Sequence, residues 1–229
     1  FLSSVKDLFY HEVQKVTPSL TFSPRQLNAQ KTLLRQIIEV TRHECEKAQY
    51  PVVNVIPVGS ATRFTALPFS LELDVFVTFA TYDRTVLQRF ASEVVPRVAA
   101  VFHSSAEVKY AENPYGHFAV CWKGFSFEVD LVATVHVSDP KFLSQALAIS
   151  GMARTLFHND FLKERIKGLE LQARLFKYWA KQKRLYGTFG FTGFLVDFTS
   201  IEYFLPFFPA IKSQEVFSMI PEPATLTTL

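Results

Sequence analysis

Cysteine is scarce: Cys45 and Cys121 are the only two in 229 residues, and no C-x-x-C occurs. That excludes a disulfide framework and a cysteine-built zinc site, and points to a reducing, intracellular setting, the cytoplasm. No uncharged apolar run approaches the ~18 residues that span a membrane. The first sixteen residues carry Lys6, Asp7, Glu12 and Lys15, unlike a signal peptide, and a chain opening on Phe1 reads as a fragment. The pattern G-x-x-x-x-G-K-[ST] is absent, which excludes a P-loop kinase or ATPase. No G-x-G-x-x-G supports a Rossmann oxidoreductase. Internal repeats and low-complexity segments are also missing.

What is present is globular: 48% hydrophobic and 20% charged residues, enough for one large or two modest domains. The net charge is only +3, yet residues 160–184 hold eight basic and three acidic side chains. Such a local patch suits a phosphate-rich partner.

Residues 1–16 show helical apolar spacing and stop before Pro18. Ser23-Pro24 is an N-cap followed by proline at the first helical position, opening a helix to about Ala48. Val52 to Val58 is a β-branched strand running into Gly59-Ser60. Asp83 caps a helix of about twenty residues that Pro96 should kink. Strands follow at Glu107 to Glu112 and His117 to Trp122, joined by the turn signal Asn113-Pro114-Tyr115-Gly116, around which Tyr115 and His117 are expected to shape the hairpin. Lys123-Gly124 then turns into a strand from Phe125 to Val135. From Ser138 the character becomes helical: one helix from Asp139-Pro140, one from Asp160 to about Leu185, and one from Thr192 to about Phe208. The predicted class is α+β, a mixed sheet with helices over residues 1–136 and an all-helical domain over 137–229.

The chemistry concentrates around Gly59-Ser60 and the alternating strand Leu71 to Phe79. Side chains alternate along a strand, so Glu72 and Asp74 share one face while Leu73, Val75 and Val77 share the other. Paired carboxylates repel, and burying them is costly without a cation. Hard oxygen ligands suit Mg²⁺ carrying a substrate phosphate, and a Gly-Ser turn can offer backbone N–H groups to a phosphate. A lone E-x-D more often marks a solvated strand face; the Gly-Ser turn upstream changes that balance. Asp130, with Glu128 on the same face of a later strand, offers a third carboxylate.

These residues resemble the polymerase beta-like nucleotidyltransferases, a Gly-Ser followed by a strand with two acids. More specifically, residues 1 to about 205 resemble the archaeal-type (class I) CCA-adding tRNA nucleotidyltransferases. The resemblance rests on Gly59-Ser60-Ala61-Thr62-Arg63, Ser70-Leu71-Glu72-Leu73-Asp74-Val75-Phe76, Tyr110-Ala111-Glu112-Asn113-Pro114-Tyr115 and Glu128-Val129-Asp130. It continues through Arg154-Thr155-Leu156-Phe157-His158, Arg165-Ile166-Lys167-Gly168, Arg174-Leu175-Phe176-Lys177, Leu185-Tyr186-Gly187 and Gly193-Phe194.

The resemblance implies transfer of CMP and AMP from CTP and ATP to a tRNA 3′ end, releasing pyrophosphate. It implies two Mg²⁺ ions on Glu72, Asp74 and Asp130, the catalytic carboxylates. Gly59, Ser60 and Arg63 match positions at the phosphates, and Thr155, His158, Lys177 and Tyr186 match positions lining triphosphate and ribose. Lys163, Lys167, Arg174, Lys177, Lys181 and Arg184 fall on one helical repeat and read as a basic stripe for RNA, with a solvated face as the plainer reading. Partners are then tRNA and nucleoside triphosphates, with a homodimer allowed and no membrane. Two departures stand out: the segment between Tyr186-Gly187 and Gly193 is short and lacks a basic residue, and no Asp-Pro…Arg-Asn follows Phe208. The rival readings are another RNA terminal nucleotidyltransferase, adding poly(A) or oligonucleotide tails, and a catalytically silent nucleotide- or RNA-binding relative.

Overall fold

The computed structural model describes residues 10–80, 83–110, 114–147, 151–187 and 192–201. Its centre is a five-stranded sheet of β1 (Val52–Val58), β2 (Glu72–Phe79), β3 (Glu107–Lys109), β4 (Tyr115–Trp122) and β5 (Phe125–Val135). The spatial order is β1-β2-β5-β4-β3. Only β2 and β5 run parallel; the other neighbours are antiparallel. A parallel pair needs a crossover, and the chain between β2 and β5 provides it.

Two helices cover one face of this sheet. Helix α1 (Pro24–Lys47) begins with a capping box: the Gln26 N–H donates to the Ser23 hydroxyl, and the Ser23 N–H donates back to the Gln26 side chain. The one-turn helix α2 (Gly59–Thr62) follows β1, and α3 (Arg84–Val101) is capped by Asp83, which accepts from the Thr85 N–H. Helix α3 continues through Pro96. Leu33 and Ile37 of α1 and Phe90 and Val94 of α3 meet Leu73, Val75, Val129 and Leu131 in one fully enclosed core. Burial of each such side chain stabilises by about 1.5–3 kcal/mol.

The other face is covered only in part. Val58, Phe76 and Val132 are sealed by Tyr115, Met152 and Leu156, while Glu72, Asp74, Glu128 and Asp130, further along the same strands, lie beyond that cover. The described C-terminal residues form helices: α4 (Leu143–Leu147), α5 (Thr155–Arg165), α6 (Glu170–Gln182) and α7 (Gly193–Thr199), with short 3₁₀ turns at Pro140–Phe142 and Gly151–Arg154. The fold is therefore the expected mixed α+β unit followed by a helical segment. Among the described residues no helix is long and apolar enough to cross a membrane.

Several boundaries depart from expectation. The long helix from Asp160 to Leu185 is two helices, α5 starting earlier at Thr155 and α6 at Glu170. Between them Gly168 takes a φ of +79° and the Leu169 N–H bonds to the Ile166 carbonyl, a left-handed turn that glycine permits cheaply. The helix expected at Asp139-Pro140 is a 3₁₀ turn followed by the short α4. Strand β3 ends at Lys109 and β4 starts at Tyr115; residues 111–113, with Asn113 of the turn signal, lie outside the described residues. So do residues 1–9 of the first helix and everything after 201. The described part of that first helix, residues 10–16, passes into a 3₁₀ turn at Thr17–Leu20, where Pro18 stands.

Candidate active site

The parallel pairing of β2 and β5 aligns Glu72 with Glu128 and Asp74 with Asp130. Because side chains alternate, all four carboxylates project from the same face. With Leu73 and His117 they line a cleft of about 160 Å³. Asp74 is half-buried, and its carboxyl is pushed up to about 7 by burial first, then by the charges of Asp130 and Glu72; Lys177 and Arg63 pull it back only partly. Such a shift marks negative charge crowded into a place with too little positive charge. Ser70 donates its hydroxyl hydrogen to Glu72 at 2.8 Å, and Lys181 donates to Ser70 at 3.3 Å.

Gly59 closes the cleft from the β1 side. Val58, its neighbour, pairs with Asp74. Gly59 has a φ of +77°, and a Cβ there would overlap the Asp74 carboxylate. Both reasons require glycine: the left-handed backbone and the close approach of chain to acid. Ser60 and Ala61, next in α2, are buried, and the Ser60 carbonyl accepts from the Thr65 and Ala66 N–H groups.

Arg63, expected on the phosphates, is 7% exposed and already occupied. Its Nε and Nη2 donate to Asp197 Oδ2 at 2.8 and 2.7 Å, and Nη1 donates to Asn159 at 2.9 Å. Thr65 adds a 3.0 Å bond to the same Asp197 oxygen. This is a charge-assisted, fully desolvated fork, joining the turn after β1 to α5 and α7.

Lys177 is different: it is 4% exposed and its close contact is an aromatic ring rather than a carboxylate. It stands 5.4 Å from the centre of the Tyr186 ring, with Lys181 5.1 Å from the same ring. Burial lowers the Lys177 pKa, against the pull of Asp197 and Glu72, and burial together with the nearby acids raises that of Tyr186. Thr155 and His158, half-buried on α5, share a helix face at i, i+3. The His158 ring lies 4.5 Å from that of Phe194 at an angle of 31°, and burial lowers its pKa.

The basic stripe does not form one exposed face, because the helix is broken at Gly168. Arg174 turns inward, donating to the Phe64 carbonyl at 3.0 Å, with burial lowering its pKa to about 10. Lys177 is buried and Lys181 half-buried, while Lys163, Lys167 and Arg184 are exposed, Lys167 pairing with Glu164 at 2.9 Å. Three residues of the site were not singled out for it from sequence. His117, expected to shape the hairpin, faces Glu128 and Asp130. Asn159 and Asp197 hold Arg63; a lone acid in the apolar run after Gly193 was a readable signal for Asp197, whereas nothing marked Asn159.

The donor set is hard oxygen, which suits Mg²⁺. Among the described residues no group of three or more His, Cys, Asp or Glu is arranged to hold a metal ion unaided.

No family model matches the chain. Curated relatives do: the CCA-adding enzyme of Methanosarcina barkeri (strain Fusaro / DSM 804) is 31% identical over 202 residues, covering 86% of this chain and 42% of that enzyme. The CCA-adding enzyme of Archaeoglobus fulgidus is 36% identical over 156 residues, 66% of this chain and 33% of that enzyme. The chain thus spans at most about two fifths of the length of these relatives. Among solved structures, the E. coli MS115-1 CdnC:HORMA-deltaN complex superposes with a TM-score of 0.59 at 19% identity, over 90% of this chain and 71% of that one. The polymerase core of TRAMP, an RNA surveillance complex, gives 0.54 at 14% identity, over 81% and 52%. At such identities the structures share the fold alone. By its similarity to the curated enzymes, the chain belongs to the archaeal-type CCA-adding tRNA nucleotidyltransferase family, within the polymerase beta-like nucleotidyltransferase superfamily.

Proposed function

We propose that this protein transfers CMP and AMP from CTP and ATP to the 3′ end of tRNA, completing the CCA terminus and releasing pyrophosphate. The observation that carries the reading is the in-register pair Asp74 and Asp130, with Gly59 pressed against Asp74. In this reading residues 1–136 form the catalytic domain and 137–229 the helical one, the nucleotide lying between them.

Glu72, Asp74 and Asp130 would hold two Mg²⁺ ions. The raised Asp74 pKa fits that role, since a cation would relieve the crowding that causes it. The chemistry such ions would supply when bound is a lowered pKa for the attacking 3′ hydroxyl and neutralised charge on the triphosphate. The remaining work belongs to the chain. Ser60, buried next to Gly59, would offer its hydroxyl to a phosphate. Lys177, a buried cation beside the Tyr186 ring, suits a triphosphate oxygen. Tyr186 walls the Lys177 ammonium, and Thr155 and His158 would border triphosphate and ribose. Arg63 supports the turn carrying Gly59 and Ser60 through Asp197 and Asn159. The protein need supply no nucleophile, because phosphoryl transfer is accelerated mainly by positioning and charge neutralisation. Lys163, Lys167 and Arg184, exposed on or beside α5 and α6, would give weak, salt-sensitive RNA contacts.

The test is incubation with Mg²⁺, tRNA transcripts ending before C-C-A or at C-C, and each labelled nucleotide in turn. Addition of C, C and A, then arrest, is expected; addition of A alone or of long tails would favour a tail-adding enzyme. Asp74→Ala and Asp130→Ala should each lower transfer by at least about a hundredfold, as removal of a transition-state electrostatic contact does, with circular dichroism unchanged. Full activity in either folded variant would sink the assignment.

A further inference from the structure

The transfer chemistry leaves two polar side chains of the cleft, His117 and Glu128, without a task. His117 lies on β4 directly opposite Asp130 in the antiparallel β4–β5 register, so both side chains leave the sheet on the same face. Its Nδ1 stands 2.7 Å from Asp130 Oδ1, and its Nε2 stands 3.0 Å from Glu128 Oε2. An ionised carboxylate only accepts, so a ring nitrogen bonded to one must be the donor. A neutral imidazole carries a single N–H, so donation to both acids at once belongs to the imidazolium; the shorter contact, and the hydrogen bond, is the one to Asp130.

The consequence differs for the two acids. Asp130 is 38% exposed on its side chain, and an acid so open would sample several rotamers. A donor on Oδ1 removes that freedom and leaves Oδ2, which accepts no hydrogen bond among the described residues. Glu128 stands opposite Glu72 in the parallel register and is 48% exposed, with its Oε2 within 3.0 Å of His117 Nε2. We propose that His117 is a positioning residue for Asp130: it occupies one carboxylate oxygen, presents the other toward the cation shared with Asp74, and restrains Glu128 from competing for it. This rests on the metal-dependent reading given above. The same logic makes partners of metal-binding groups matter elsewhere, where their loss costs about 10–100-fold in metal affinity or activity.

The experiment pairs Mn²⁺ binding, followed by electron paramagnetic resonance on the protein with a non-hydrolysable CTP analogue, with steady-state transfer of CMP. His117→Ala should weaken Mn²⁺ binding about tenfold and lower kcat similarly, with KM for CTP within about twofold of wild type. His117→Asn, whose amide N–H can stand where the Nδ1 hydrogen stood, should recover most of both losses. His117→Gln, which reaches only toward Glu128, should not. Wild-type values in His117→Ala, or equal values in the Asn and Gln variants, would overturn the role of His117 while leaving the metal reading intact. If the Ala variant fails to fold, the Asn–Gln contrast still decides. Absence of Mn²⁺ binding by the wild type, or undiminished binding by Asp74→Asn, would instead overturn the metal reading and this proposal with it.

Discussion

On one side of the sheet, α1 and α3 meet the strands through Leu33, Ile37, Phe90 and Val94, all fully buried. On the other, the C-terminal helices meet the turn after β1 through Arg63, Asp197, Asn159 and Arg174. The apolar seam is held by an attraction without direction, proportional to area. The polar seam is held by bonds that fail outside a narrow range of distance and angle. Burying an ion pair gains little net stability over apolar residues of the same size, yet breaking one is severe. The contrast separates two jobs. The apolar side supplies stability, and the polar side fixes where Lys177 and α5 stand relative to the carboxylates.

Three changes would break or sharpen that division. The largest effect is expected from Asp197→Ala, which strands the Arg63 charge in the interior and should cost about 3–5 kcal/mol in urea unfolding. The double variant Arg63→Met with Asp197→Leu should return to within about 1–2 kcal/mol of wild type, yet KM for CTP should stay raised. Recovery of both together would mean that the polar seam does not set the position of the site.

Leu33→Ala comes next. It should cost about 3 kcal/mol while leaving KM for CTP unchanged at temperatures where the variant is folded. A selective rise in KM would show that the two seams are coupled.

The smallest effect concerns Asp74. Its folded-state pKa is raised to about 7 from an ordinary 3.8, so the metal-free folded chain binds that proton more tightly than the unfolded one. Stability should fall as pH rises from about 4 to about 7 and level off above. The Asp74→Asn variant should lose that slope, a difference on the order of 1 kcal/mol once water in the cleft screens the charges. A steeper slope in the variant than in the wild type would contradict the crowding of the carboxylates.

Much of this was legible because it depends on local rules. Alternation alone puts Glu72 and Asp74 on one face, since a strand has a period of two whatever surrounds it. The start of α1 follows from Ser23, Pro24 and Gln26, which cap their own helix. The break at Gly168 is hidden because the stripe Leu162, Ile166, Leu169, Ala173, Phe176 and Ala180 keeps helical spacing across it, with all but the half-buried Phe176 fully buried. The inward turn of Arg174 and Lys177 depends on the Phe64 carbonyl and the Tyr186 ring, groups that no periodicity brings to them. The contact of His117 with Asp130 needs the β4–β5 register, which two separately recognised strands do not state.

The parallel register of β2 and β5 has a consequence for how the protein can change over generations. The chain between Asp74 and Asp130 includes a helix and two strands, and nothing in the pairing counts its residues. Loops there can lengthen or shorten, leaving the two acids abreast. One residue inserted inside β5 between Glu128 and Val129 would instead swing Asp130 through the sheet, toward Phe90 and Val94, and offer Val129 to the cleft. Parity along one strand, rather than distance along the chain, is the feature that heredity must keep.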